Sequence, residues 1–159
     1  MNCYSNNYNK YKYENYVYQN SWFDVFMNEV PVSSEYGFIE LQVTKDLGRE
    51  IAAGSVLTIY VNHNGDQIPV VKLDITQNPT LIRLPIAHPS GTLVRGAEYY
   101  FTPYNLTIEN EGYYNIATHN IRLFPNIAAM FFYNFNRIIP GELNHEEITI
   151  IPPHPRDQT

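Results

Sequence analysis

Residues 101–135 read FTPYNLTIENEGYYNIATHNIRLFPNIAAMFFYNF, and the alternation within them decides the class of the fold. Tyr104, Leu106 and Ile108 fall on one face of an extended chain and Asn105, Thr107 and Glu109 on the other, the period of two that a strand requires. A turn at Glu111-Gly112 leads into a second strand through Ile121 and Leu123. Beyond the break at Phe124-Pro125-Asn126 a third, far more aromatic strand runs from Ile127 to about Ile139. Phe131, Tyr133 and Phe135 occupy one face of it, and Met130, Phe132 and Ile138 the other, so both faces ask for cover. Two placements satisfy that demand: a central strand covered by its own domain, or a strand whose second face meets another chain or an N-terminal arm. Met130, Phe132, Tyr133 and Phe135 are therefore candidate interface residues.

Working upstream, the same period recurs. Phe38 to Lys45 alternates with Ile39, Leu41 and Val43 inward and Glu40, Gln42 and Thr44 outward. Asp46-Leu47-Gly48 turns the chain, and the small residues Ile51-Ala52-Ala53-Gly54 let it pass close to the sheet before a strand from Val56 to Val61. Asn64-Gly65, both tolerant of positive φ, predicts a hairpin into Ile68–Ile75. Leu81–Ile86 is a further strand, ended by His88-Pro89-Ser90-Gly91, and Tyr99–Ile108 is another. Downstream, Glu146–Ile151 pairs as a last strand before Pro152, Pro153 and Pro155 forbid more ladder bonds, leaving a stiff, exposed tail. The expected fold is all-β: an antiparallel β-sandwich of about seven to eight strands over residues 37–151, with an arm at 1–36 and a Pro-rich tail at 152–159.

The composition agrees. The 159 residues, 44% of them hydrophobic, suffice for one domain with a real core. Tyr, Phe, Ile, Val and Thr are abundant, which favours strands over helices. A net charge of −6, with no Lys/Arg stripe, excludes a phosphate-backbone partner, so no nucleic acid is expected. No window approaches ~18 consecutive apolar residues, so no membrane span is expected. The first fifteen residues, MNCYSNNYNKYKYEN, lack the apolar core of a secretory signal; the chain is used without classical secretion, or a signal was removed ahead of it.

Residues 2–20, NCYSNNYNKYKYENYVYQN, hold six Tyr and six Asn and no Gly or Pro. Disordered linkers are depleted in aromatics. Here Tyr11 and Tyr13 share one face of an extended chain, as do Tyr16 and Tyr18, with a slip of one residue at Asn15. A segment this short builds no core of its own, yet each Tyr offers a large contact area and a hydroxyl. It reads as an arm to be buried on something else. An unstructured sticky coat and oxidative tyrosine cross-linking also fit the composition. Residues 21–30, SWFDVFMNEV, place Trp22, Phe26 and Val30 at helical spacing behind a Ser21/Asp24 capping pattern, so a short hook is expected, although a strand apolar on both faces also fits. Cys3 is the only cysteine; it closes no internal disulfide and is either a free thiol or a link to one partner.

The segments VTKDLGREIAAGSVLTIY, LIRLPIAHP, YNLTIENEGYYNI and IRLFPN, taken in order, resemble the carboxypeptidase regulatory-like family. That family is a transthyretin-like sandwich, and the version most similar accompanies peptidoglycan-processing and cortex-lytic proteins of spore-forming bacteria. The resemblance covers roughly residues 37–140 and rests on Gly48, on Ile51 to Gly54 with Val56, on Tyr104 to Ile108 with Gly112-Tyr113, and on Ile121 to Asn126. It implies a non-catalytic accessory or building block, with a spore or cell surface as the final site.

Chemistry is harder to find. His63, His88, His119, His145 and His154 are scattered, with no pair at metal spacing. His88 and Ser90 lie in a turn without a nucleophile elbow, and Glu146 and Glu147, being adjacent, point to opposite faces of a strand. Neither an enzyme nor a cofactor is expected. The expected function is a structural subunit that assembles into a filament or coat when the arm of one copy adds to the sheet of another. Tyr11, Tyr13, Tyr16, Tyr18, Trp22 and Phe26 would be its anchors and Cys3 a latch, with a spore-coat or cell-wall component as a further partner. The alternative expectation is an accessory module that binds carbohydrate or wall polymer.

Overall fold

The computed structural model describes residues 30–143 and 145–158. Cys3, Tyr11, Tyr13, Tyr16, Tyr18, Trp22 and Phe26 lie outside the described residues. In chain order the strands are β1 (Tyr36–Lys45), β2 (Glu50–Ile51), β3 (Val56–His63), β4 (Asp66–Asp74), β5 (Thr80–Pro85), β6 (Val94–Arg95), β7 (Tyr100–Phe101), β8 (Tyr104–Glu109), β9 (Asn115–Ile121), β10 (Ala128–Asn134) and β11 (Glu146–Ile150). One sheet runs β11-β9-β8-β3-β4. In the other, β1 lies between β10 on one side and β5 and β2, which share its opposite side. The pair β6-β7 stands apart.

Alternation builds the core as expected. Ile39, Leu41 and Val43 of β1 meet Leu57, Ile59 and Val61 of β3 and Leu106 and Ile108 of β8 in one cluster, all with no exposed surface. The Asn64-Gly65 turn takes positive φ at both residues, 52° and 90°, joining β3 to β4 as a tight hairpin. Tyr104, fully buried in β8, donates from its hydroxyl to the Pro85 carbonyl at 2.6 Å and so ties one sheet to the other.

The fold is an all-β sandwich, but three expectations are corrected. Among the described residues the strands number eleven, not seven to eight, because two-residue pieces count and because Tyr99–Ile108 is not one strand. Thr102-Pro103 divides it into β7 and β8: Pro103 has no N–H for a ladder, and Thr102 turns to donate its N–H to the Ile86 carbonyl at 2.9 Å. The sheets are not purely antiparallel, since β10 runs parallel to β1 and β11 parallel to β9. A period of two is the same in either direction, so the pattern carries no sign of it. Nor is the tail wholly exposed. Pro152 to Arg156 face solvent, but the 3-10 turn Pro155–Gln158 brings Asp157 back onto Arg122, with 5% of the Asp157 side chain exposed. The Arg122 guanidinium lies 4.4 Å from the centre of the Phe101 ring and 4.7 Å from that of Phe124.

Contact with the sandwich also begins before residue 37. The Tyr100 N–H donates to the Pro31 carbonyl at 2.7 Å, the Ser33 N–H to the Tyr100 carbonyl at 3.3 Å, and the Ile86 N–H to the Glu35 carbonyl at 2.9 Å. The root of the arm is therefore part of the folded unit from Pro31 onward.

Candidate functional site

β10 follows from two local causes. Asn126, at φ 56°, turns the chain after Pro125 and donates its N–H to the Tyr36 carbonyl at 2.9 Å, which sets Ile127 beside the start of β1. The ladder then begins with the Phe38 N–H on the Ile127 carbonyl at 3.1 Å and ends with the Phe135 N–H on the Thr44 carbonyl at 2.8 Å. Successive residues of a strand direct their backbone groups to alternate sides. Residues 127, 129, 131, 133 and 135 thus bond β1, and the N–H and C=O groups of Ala128, Met130, Phe132 and Asn134 point away from it. No strand among the described residues pairs with that side.

The side chains divide the same way. Phe135 is 2% exposed and packs on Tyr113 at 5.6 Å between ring centres. The Tyr133 hydroxyl meets the Thr118 hydroxyl at 2.6 Å across the sandwich, and burial raises its pKa above the usual phenol value. Phe131 and Tyr133 stack at 5.9 Å, both half-buried. On the outer face Met130 is 55% and Phe132 67% exposed. Of the four interface candidates, then, the structure turns Met130 and Phe132 outward and Tyr133 and Phe135 inward.

Register extends this outer face into a patch. Leu81, Glu40 and Met130 lie in one row across β5, β1 and β10, and Arg83, Phe38 and Ala128 in the next. Leu81 is exposed, and the Arg83 guanidinium sits 3.9 Å over the ring of Tyr36, at the start of β1. Leu81 and Tyr36 were not among the sequence candidates, although the alternation of Leu81 with the buried Ile82 was the signal that could have found Leu81.

Elsewhere the histidines of the described residues take structural contacts. The His88 ring accepts the Ser90 N–H at 3.1 Å, a turn contact rather than a nucleophile pair. His119 Nδ1 lies 3.3 Å from the Asn105 side-chain oxygen, and His145 stacks on Tyr114 at 4.0 Å. Among the described residues no three His, Cys, Asp or Glu side chains gather as a metal site, and no helix is long and apolar enough to cross a membrane. A shallow recess of about 520 Å³ between Asp46, Arg49, Glu50 and Arg137 is held by an ion pair, with Arg137 Nη2 2.7 Å from Asp46 Oδ1. The Arg137 hydrogen bond lowers the Asp46 pKa below its ordinary 3.8, against some desolvation and with help from the Arg137 charge and the Tyr113 hydroxyl.

No protein-family model matches the chain, and no curated protein matches it in sequence. The arrangement of β10 and the outer face around it thus carries the functional reading.

Proposed function

We propose that this protein is a non-enzymatic structural subunit that assembles into a filament or coat by exchange of its N-terminal arm, the arm of one copy adding as a strand to a sheet of the next. The observation that carries this reading is the open edge of β10, seven residues without charge or proline, among them the exposed Met130 and Phe132. A long apolar edge is a template for pairing with another chain. Charge does not oppose the pairing: residues 2–20 carry Lys10, Lys12 and Glu14, a net +1 (2 − 1), on a chain whose total is −6. A spore or cell surface as the place of assembly, and a coat or wall component as a further partner, follow from the family resemblance.

Negative-stain electron microscopy of the full chain beside a version beginning at Val30 tests this. Val30 is the right start because it keeps the bonds of Pro31 and Ser33 to Tyr100. Filaments or arrays from the full chain alone are expected. Dispersed monomers from both would overturn the reading and favour a module that binds wall polymer.

A further inference from the structure

The geometry points to β10 as the edge that accepts the arm, with residues 11–18 of one copy paired along Ala128–Asn134 of a second copy; this rests on the arm-exchange reading above. The other strand edges among the described residues are blunted. β4 carries Pro69 and a bulge opposite Ile59/Tyr60, with Asp66 and Asp74 at its ends. β11 begins with Glu146-Glu147 and stops before Pro152-Pro153. β5 has Arg83 and Pro85, and β2, β6 and β7 are two residues long each. In the gap between β5 and β2 the Asn78 side chain bonds both the N–H and C=O of Val43, at 3.0 and 2.8 Å. Only β10 has none of these devices.

The donor fits what β10 lacks. A strand laid against this edge would find apolar cover wanted on both of its faces: outward beside Met130 and Phe132, inward beside the half-buried rings of Phe131 and Tyr133. The slip at Asn15 puts Tyr11 and Tyr13 on one face and Tyr16 and Tyr18 on the other, so one segment serves both. Glu40, in the row of Met130, offers Lys10 or Lys12 an opposite charge.

That the donor comes from a second copy follows from the arm-exchange reading and not from distance, since the root stands near the start of β10, with the Asn126 N–H on the Tyr36 carbonyl at 2.9 Å. The chain leaves the folded unit beside Tyr100 and Ile86, on the β5 side of β1, whereas β10 lies on the opposite side. From Val30 back to Tyr18 there are twelve residues, a reach of at most about 40 Å, enough to reach an adjacent subunit; an arm folded on its own β10 is the monomeric outcome of the test below. Unlike surfaces joined head to tail propagate as an open fibre when the rotation does not close.

Complementation between two crippled full-length chains tests the assignment by sedimentation velocity under reducing conditions, which keep Cys3 out of the result. Met130→Pro removes only an outward N–H, so it leaves the β1 ladder intact and blocks strand addition. Phe132→Lys blocks it by charge without touching the backbone, and carries the test if the proline variant fails to fold. The arm-defective chain replaces Tyr11, Tyr13, Tyr16 and Tyr18 with Ser. Each variant alone is expected to sediment as a monomer, and an equimolar mixture of an edge-defective and an arm-defective chain as a two-subunit complex that grows no further. If a folded edge variant polymerises as the wild type does, β10 is not the acceptor and arm exchange survives at another edge. If the arm-defective chain polymerises, arm exchange itself fails. A monomeric wild type overturns both.

Discussion

Tyr104 shows what one side chain contributes and how much of it was readable. Its place on the buried face of β8 follows from alternation with Leu106 and Ile108, all three without exposed surface. Its hydroxyl partner, the Pro85 carbonyl, does not, because it lies in a strand nineteen residues away. Tyr104→Phe keeps the ring and removes the hydroxyl's bond to the Pro85 carbonyl, at an expected cost of about 1–2 kcal/mol in chemical denaturation, with unchanged slope. Asn105 marks the limit of the pattern. Alternation puts it outward, yet it is 3% exposed, because its side chain accepts the Asn120 N–H at 3.1 Å where β8 and β9 lose register. A bulge leaves no mark in a period of two.

At the scale of elements, strand positions were legible and strand neighbours were not. Alternation and the Asn64-Gly65 turn located most of the longer strands, since each depends only on nearby residues. The outward placement of Met130 and Phe132 was legible in the same way. That β10 lies at an edge was not, because a strand apolar on both faces reads alike in the middle of a sheet and at its border. The seal at Asn78 was hidden too, for Asn78-Pro79 reads as a loop while the side chain behaves as a missing piece of strand against Val43. Asn78→Ala leaves the buried Val43 N–H without its partner, while the Val43 carbonyl keeps the Ala52 N–H at 3.0 Å. The expected loss is about 1–2 kcal/mol of stability, together with faster exchange of the Val43 amide by NMR. Unchanged stability would mean that water replaces the side chain at no cost.

At the scale of the molecule, a core of buried apolar side chains is joined to a border, β10, whose outward backbone groups no described strand pairs. The ion pair of Asp46 with Arg137 lies at the surface, closing the turn after β1 onto the segment after β10. A carboxyl whose pKa is lowered by folding adds stability above its ordinary value of 3.8 and loses it as pH falls below that toward the folded value. Arg137→Gln is therefore expected to lower the melting temperature near neutrality and to make little difference at about pH 2, below the ordinary range of a carboxyl group; an equal deficit at both would assign the role of Arg137 to packing on Tyr113. The border is where function is argued, and amide hydrogen exchange reads it residue by residue. In wild-type assemblies, compared with the monomeric chain in which Tyr11, Tyr13, Tyr16 and Tyr18 are Ser, the amides of Ala128, Met130, Phe132 and Asn134 are expected to gain protection. Those of residues 129, 131 and 133, bonded to β1 in both, are expected to be protected throughout. Equal, rapid exchange of Ala128, Met130, Phe132 and Asn134 in both states would contradict the claim that an incoming strand completes this sheet.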